Sequence, residues 1–215
     1  MANTDPDALL FITPGCPHCA TVLQDLSELV KQSLIGKLTV INVAAHPDFA
    51  EKHRVRTAPW LQLGPFTLTG AYSLADLRQW ADWARGEKGT AHYIEHLLKH
   101  GGYQQAAAFV AADTSRLKPL LGIVANPGAN IEVRLGVSAL LEAQANTEAL
   151  RKLLPQLAEL TLNADHRVRA DACHLLGLTG ALAARDHIES CLKDTNEEVR
   201  EIAAEALAQL NKQSS

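Results

Sequence analysis

The C-terminal half of the chain repeats a short pattern, and this repeat constrains the fold more than any other feature of the sequence. A Val-Arg pair occurs three times, as Val133-Arg134, Val168-Arg169 and Val199-Arg200, and Asn or Asp stands three residues before each valine. The pairs are 35 and then 31 residues apart, close to the length of a helical-hairpin repeat. One such unit cannot bury its own apolar stripe, so we expect the units to stack into an all-α solenoid.

The N-terminal part of the chain has a different pattern, in which short apolar runs alternate with helical periodicity. The predicted elements follow the order β-α-β-α-β-β-α, with strands at 8–12, 37–43, 60–63 and 66–69 and helices at 17–34, at 47–53 and from Ser73 or Asp76 onward. This order favours a sheet with helices on its faces. Strand patterns stop after Gly89. We therefore predict an α/β domain at residues 1–88 and an all-α domain at residues 89–215.

The composition excludes several classes of protein. Hydrophobic residues make up 47% and charged residues 20% of the chain, which is typical of a globular protein. The 20 basic and 24 acidic side chains give a net charge of -4, so a nucleic-acid partner is not expected. No apolar run approaches the roughly 18 residues of a transmembrane helix, and the first residues lack the pattern of a signal peptide. We therefore expect no membrane partner and a cytoplasmic location.

The sequence Cys16-Pro17-His18-Cys19 lies between the first predicted strand and the long helix that follows. Unpaired amides and the positive end of the helix dipole favour a thiolate at such a helix N-terminus. We predict Cys16 as the nucleophile and Cys19 as the resolving thiol, with His18 favouring the ionised sulfur. Pro17 suits the first helical position.

Two other interpretations of this cysteine pair stay open. The first is that the pair forms half of a zinc site, although no second CxxC or CxxH follows in this domain. The second is that it is a structural pair without redox chemistry. A second metal candidate is formed by His92, His96 and His100, which share one helical face, but that face is also typical of a solvated surface. We predict no metal and no cofactor.

Residues 8–86 resemble the thioredoxin fold in its short, glutaredoxin-like form. Cys-Pro-His-Cys is the active-site sequence common among bacterial disulfide-forming oxidases of that superfamily. Ala58-Pro59 falls where the family has its cis-proline loop, so the resemblance implies that Pro59 is cis and faces Cys16, and that the Ala58 backbone pairs with an extended substrate. Two positions depart from the family pattern: Gly15 replaces a common tryptophan, and Leu10 stands where many members carry a buried acid.

Residues 129–210 resemble HEAT repeats, in particular the short variety that also occurs in phycobilisome lyases. In that family the repeated arginine helps to form a polar ladder between repeats, a role that the resemblance implies for Arg134, Arg169 and Arg200. Lyase activity does not follow from the repeat. Since HEAT stacks are mostly interaction surfaces, the resemblance implies a protein partner for this half.

The remaining cysteines and Trp60 are expected to contribute to packing. Cys173 and Cys191 fall at repeat positions that are otherwise small or apolar, so we predict buried, inert thiols rather than a disulfide between them. On antiparallel helices that turn near Gly180, the two thiols are expected to lie about a helical turn out of opposition. We place Trp60 in the core rather than on a substrate platform, and His53 at the surface.

The leading function hypothesis is thiol–disulfide exchange on protein substrates, in which the helical repeats select the partner. The alternative is a non-enzymatic adaptor or assembly chaperone with a mainly structural thioredoxin-like domain. The direction of exchange stays open, because His18 favours an oxidising site whereas the absence of a signal peptide favours a reducing compartment.

Overall fold

A computed structural model describes residues 5–213 of the chain. The chain divides into two compact units, of which the first ends at Tyr93 and the second begins at Ile94. This division falls inside the helix Lys88–Lys99, and the predicted boundary between residues 88 and 89 stays a prediction. Residues 1–4, where the signal-peptide argument begins, lie outside the described part of the chain.

The first unit contains a four-stranded mixed sheet with helices. Its elements are β1 (Asp7–Ile12), α1 (Cys19–Lys31), β2 (Lys37–Asn42), α2 (Pro47–Lys52), β3 (Trp60–Leu63), β4 (Phe66–Thr69) and α3 (Leu74–Trp83). The strands lie in the order β2-β1-β3-β4. β1 pairs in parallel with β2 and antiparallel with β3, and β3 pairs antiparallel with β4. The predicted order of elements is confirmed.

β1 is a central strand with buried side chains on both of its faces, which explains its nearly continuous apolar sequence. Successive residues of a strand point to opposite faces, and Leu10 and Phe11 are both completely buried. Phe11 packs in a cluster with Ala50 of α2 and Trp60 of β3. Burial of one side chain of this size stabilises the fold by about 2–3 kcal/mol.

A capping box fixes the start of α3 and decides between the two predicted starts. The hydroxyl of Ser73 accepts a hydrogen bond from the Asp76 amide at 3.2 Å, and the Asp76 carboxylate accepts one from the Ser73 amide at 3.0 Å. The Ser73 hydrogen bonds lower the pKa of Asp76. Ser73 is therefore the N-cap, and the two bonds satisfy two amides that the helix leaves unpaired.

The second unit consists of helices, and α4 (Lys88–Lys99) leads into it. The elements that follow are α5 (Tyr103–Ala112), a 3₁₀ helix (Thr114–Leu120), α6 (Leu121–Val124), α7 (Ile131–Glu142), α8 (Glu148–Arg151), α9 (Leu154–Leu160), α10 (His166–Leu178), a 3₁₀ turn (Leu182–Ala184), α11 (Arg185–Cys191) and α12 (Glu197–Gln213). Between residues 5 and 213, none of the helices has both the length and the apolar character needed to cross a membrane.

The repeated Val-Arg pairs lie in the first turns of α7, α10 and α12, directly after a capped start. The side chain of Asn130 accepts hydrogen bonds from the first-turn amides of α7, and Asp165 does the same for α10. Val133, Val168 and Val199 are completely or almost completely buried. The repeated Asn or Asp therefore begins the helix, and the valine three residues later anchors its inner face.

The arginines of the first two repeats link one repeat to the next. Arg134 donates a hydrogen bond to Asp171 of α10. Arg169 binds Asp194 through two hydrogen bonds, at 2.7 Å from Nε and 2.8 Å from Nη2. Arg200, in the third repeat, donates to the backbone carbonyl of Asp194 at 2.8 Å. The predicted polar ladder is therefore confirmed for Arg134 and Arg169.

Gly177 allows α10 and α12 to approach closely, so we predict that Gly177→Ala destabilises the second unit. A Cβ atom at Gly177 meets the Cβ of Ala206 at 2.8 Å and its Cα at 2.9 Å, so two helices must move apart. The expected loss is about 1–3 kcal/mol in the free energy of unfolding, measured by urea denaturation. Gly122→Ala in α6 is the matched control, because nothing lies within 4 Å of a Cβ there; its stability is expected to stay equal or rise. Equal losses in both variants contradict the proposed close approach.

The Arg169–Asp194 pair makes stability depend on pH, so we predict that Asp194→Asn is destabilising mainly above pH 4. Hydrogen bonds from Arg169 lower the pKa of Asp194 to about 2, below the value of about 4 for an unfolded aspartate. The unfolded chain therefore takes up the proton first as the pH falls, and the stabilisation from this carboxylate is lost between about pH 4 and pH 2.

Urea denaturation at several pH values measures this effect as the difference between wild type and Asp194→Asn. The expected difference is about 1.5–3 kcal/mol at pH 7, and it narrows as the pH falls below 4. Glu189→Gln is the control, because Glu189 forms an exposed ion pair with Arg185 that contributes under about 1 kcal/mol. A difference in the free energy of unfolding that is independent of pH contradicts the role assigned to the Arg169–Asp194 ion pair.

Candidate functional site

Cys16 and Cys19 form a disulfide at the point where the chain leaves β1 and enters α1. Their Cα atoms are 5.5 Å apart. Cys16 is partly exposed, whereas Cys19 retains only 5% of its accessible surface. Cys16 is therefore the more accessible residue of the pair.

Gly15 forms the tight turn that presents Cys16. The amide of Cys16 donates a hydrogen bond to the carbonyl oxygen of Thr13 at 3.3 Å, which closes a four-residue turn with Pro14 and Gly15 at its centre. Gly15 has φ of +78°, a conformation that glycine adopts without steric cost. The departure from the family's tryptophan therefore has a backbone reason, since a large side chain is strained at this φ.

The start of α1 differs from the prediction by two residues. The helix begins at Cys19 with His18 as its N-cap, and Pro17 lies in the preceding turn rather than at the first helical position. The first bond of the helical type joins the Val22 amide to the His18 carbonyl, because Pro17 and His18 are used to bring Cys16 back towards Cys19. Both residues are exposed.

The N-terminus of α1 supplies positive potential next to the cysteine pair. Cys19 is the first helical residue, and the His18 side chain does not cap the free amides. Uncapped amides and the helix dipole together favour a negative charge in this position. The arrangement favours a thiolate over a neutral thiol when the disulfide is reduced.

Ala58 and Pro59 lie at the same end of the sheet as the cysteine pair. The peptide bond between them is cis, which is the isomer that the resemblance implies. Pro59 directly precedes β3, whose first residue Trp60 pairs with Phe11 near the end of β1. The strand register therefore places the proline loop and the loop that carries Cys16 at the same end of the sheet, although the two segments are about forty residues apart in the chain.

Aromatic rings support this end of the sheet from one face. Trp60 is 7% exposed and packs edge-on against Phe11 at 5.2 Å between ring centroids, which confirms its predicted place in the core. His53 lies 4.7 Å from the ring of Phe49 and 5.4 Å from that of Phe11. His53, which was predicted at the surface, is half-buried, because the end of α2 places one side of its ring on this cluster.

Leu10, where many thioredoxin-like proteins carry an acid, is completely buried. The apolar side chain of Leu10 therefore cannot accept a proton from Cys19.

The three histidines, of which His92 and His96 lie in α4 and His100 directly follows it, do not share one environment. The ring of His92 stacks on Trp83, with 4.3 Å between centroids. His96 and His100 contact each other at 4.5 Å, and burial followed by the charge of His100 lowers the pKa of His96. Throughout residues 5–213, His, Cys, Asp and Glu side chains form no cluster of three or more with the geometry to hold a metal ion.

Cys173 and Cys191 are free and buried, at 0% and 5% exposure. The predicted burial is confirmed, but the predicted separation by a helical turn is wrong. The two thiols hydrogen-bond to each other, because α11 is a short helix that ends at Cys191 and so brings that residue beside the middle of α10.

Comparison with known proteins divides the chain in the same way as its pattern of elements. A family model described as a thioredoxin domain matches residues 9–82, and one described as HEAT repeats matches residues 117–208. No curated protein matches the chain.

The difference in exposure between the two sulfurs predicts selective alkylation of the reduced protein. Cys16 is expected to react with iodoacetamide at least about tenfold faster than Cys19, because it is exposed at a helix N-terminus. Peptide mass spectrometry after short reaction times measures both rates. Cys16→Ser is the control, in which rapid labelling is expected to disappear. Equal rates, or faster labelling of Cys19, contradict the assigned roles.

Proposed function

Since the N-terminal domain is thioredoxin-like and the C-terminal domain consists of HEAT-like repeats, we propose that this chain carries out thiol–disulfide exchange on protein substrates. The observation that carries the proposal is the Cys16–Cys19 disulfide at the N-terminus of α1, with one sulfur accessible and the other buried. An exposed attacking thiol beside a protected resolving thiol is what a two-step exchange needs.

In the reducing direction the exchange begins with the Cys16 thiolate. It attacks one sulfur of a substrate disulfide, forms a mixed disulfide and releases the other substrate sulfur as a thiolate. Cys19 then loses its proton and attacks the sulfur of Cys16, which frees the second substrate thiolate and leaves the Cys16–Cys19 disulfide. In the oxidising direction the same steps run backwards, and two electrons and two protons pass from the substrate to the cysteine pair.

The neighbouring residues have separate roles in this proposal. The positive end of α1 and the His18 side chain favour the Cys16 thiolate, and Pro17 shapes the turn between the cysteines. The Ala58 backbone pairs with an extended substrate segment, and Pro59 lies beside the attacking sulfur. Because Leu10 is apolar, proton release from Cys19 is slow unless water reaches its sulfur.

The compartment decides which direction dominates, since the balance of a dithiol and its disulfide follows the surrounding redox potential. We propose a cytoplasmic location, where glutathione and related systems hold most thiols reduced. Under these conditions the reduced form of the pair accumulates, and the chain acts on substrate disulfides.

The helical repeats select the protein partner in this proposal. HEAT repeats commonly mediate protein–protein interaction, and α7 exposes two apolar side chains one turn apart. Ile131 and Leu135 are 65% and 64% exposed. Exposed apolar residues of this kind are typical of contact surfaces when they occur together.

The alternative function is that of an adaptor whose thioredoxin-like domain is mainly structural. The observation that favours it is the apolar Leu10, which leaves the buried thiol without a proton acceptor on β1. An adaptor needs its binding surface but not its cysteines, so Cys16→Ser separates the two functions.

We predict that a Cys19→Ser variant traps substrates as mixed disulfides through Cys16. The variant lacks the resolving thiol, so the intermediate persists and migrates as high-mass bands on non-reducing gels that disappear on reduction. Cys16→Ser is the matched control and is expected to form none of these bands. Both variants carry Cys173→Ser and Cys191→Ser, so that each adduct is assigned to one sulfur.

A further variant separates exchange chemistry from partner selection. Ile131→Asp with Leu135→Asp, added to Cys19→Ser, is expected to lose protein adducts but to react with glutathione disulfide at an unchanged rate. Absence of both adducts and glutathione exchange in Cys19→Ser contradicts the exchange function. Partner capture that survives Cys16→Ser supports the adaptor instead.

A further inference from the structure

Cys173 and Cys191 belong to two neighbouring helices of one repeat. Cys173 lies in the middle of α10, and Cys191 is the last residue of α11. Both are buried and neither is in a disulfide. The exchange chemistry proposed for Cys16 and Cys19 does not use them.

The Arg169–Asp194 ion pair links α10 to the segment that directly follows Cys191. Arg169 lies one helical turn before Cys173 in α10, and Asp194 follows Cys191 by three residues. Two hydrogen bonds join the guanidinium of Arg169 to the carboxylate of Asp194. We call this ion pair the Arg169–Asp194 clamp. The Asp194 amide also donates a hydrogen bond to the Cys191 carbonyl oxygen at 3.0 Å, so the clamp is connected directly to the backbone of Cys191.

The surroundings make the two sulfurs unequal. The hydrogen bond to Cys191 and then burial raise the pKa of Cys173, while the hydrogen bond from Cys173 lowers the pKa of Cys191. The Arg169 guanidinium also favours the Cys191 thiolate, whereas burial and the Asp194 carboxylate oppose it. Cys173 is therefore the S–H donor and Cys191 the sulfur that ionises more readily.

We propose that Cys173 and Cys191 are a second dithiol redox pair, which hydrogen peroxide converts into a disulfide that joins α10 to α11. The proposal rests on the contact between the two thiols and on the clamp of Arg169 and Asp194. It is independent of the function proposed for Cys16 and Cys19.

The oxidation takes two steps. The Cys191 thiolate attacks one oxygen of hydrogen peroxide, which breaks the O–O bond; the sulfur becomes a sulfenic acid, and the hydroxide that leaves takes up a proton to give water. Cys173 then attacks the sulfenic sulfur, the S–S bond forms, and the sulfenic hydroxyl leaves with the Cys173 proton as a second water. Two thiols and one peroxide thus give one disulfide and two waters.

The disulfide restrains the segment that connects the two helices. This segment contains Gly180 and the exposed side chain of Leu182. α12 packs against both α10 and α11, so a bond between them restrains three helices at once. Oxidation is therefore expected to stabilise the last repeat.

The test uses the full chain with Cys16→Ser and Cys19→Ser, so that Cys173 and Cys191 are the remaining cysteines. The reduced protein is treated with hydrogen peroxide, quenched and digested with trypsin without reduction. Cleavage after Arg169, Arg185 and Lys193 places Cys173 and Cys191 in separate peptides. We expect these two peptides to be joined, both thiols to be lost in a titration under denaturing conditions, and Tm to rise and to return on reduction.

Single variants in the same background test the assigned order of attack. With Cys173→Ser, peroxide is expected to leave Cys191 as a sulfenic or sulfinic acid; with Cys191→Ser, Cys173 is expected to react at least about tenfold more slowly. Circular dichroism establishes that each variant is folded.

Three outcomes overturn the proposal. The first is that both thiols still titrate at peroxide concentrations that fully oxidise an exposed model thiol. The second is that each cysteine is oxidised separately without a joined peptide. The third is that Cys173 reacts faster than Cys191.

Discussion

The pairing of β1 with both of its neighbours is the constraint on which the candidate site depends. β1 pairs with β2 on one side and with β3 on the other, and the pair Phe11–Trp60 fixes the register with β3. That register places Pro59 and the loop carrying Cys16 at the same end of the sheet. A shift by one residue turns every side chain to the opposite face, so the buried Leu10 and Phe11 also protect the geometry of the site.

The two cysteine pairs differ in their expected chemistry because their surroundings differ. Cys16 lies at an uncapped helix N-terminus and is accessible, which suits exchange with large substrates. Cys173 is completely buried, so only a small oxidant fits a role for its pair. At Cys16 the positive potential comes from the amides at the start of α1. At Cys191 the hydrogen bond from Cys173 is the main cause of the lowered thiol pKa, and the Asp194 carboxylate opposes the Arg169 guanidinium.

Features that depend on neighbouring residues along the chain were predictable. The order of the elements along the chain and the burial of Trp60 follow from periodicity and apolar runs. The start of α1 and the place of His53 were not, because they depend on how a turn closes and on which rings the sheet brings together. The contact between Cys173 and Cys191 likewise depends on the length of α11, which the repeat pattern does not specify.

The sequence by itself determined that an α/β domain with a CxxC pair precedes a stack of helical repeats, because these properties are written in local periodicity and in the repeat of Val-Arg pairs. The tertiary structure decided which side chains meet across long stretches of chain, Arg169 with Asp194 and Cys173 with Cys191. It also placed Pro59 and Cys16 at the same end of the sheet. The physical reason is that strand register and helix packing minimise the exposed apolar surface of the whole domain. This total surface depends on all segments together and cannot be evaluated from any one of them.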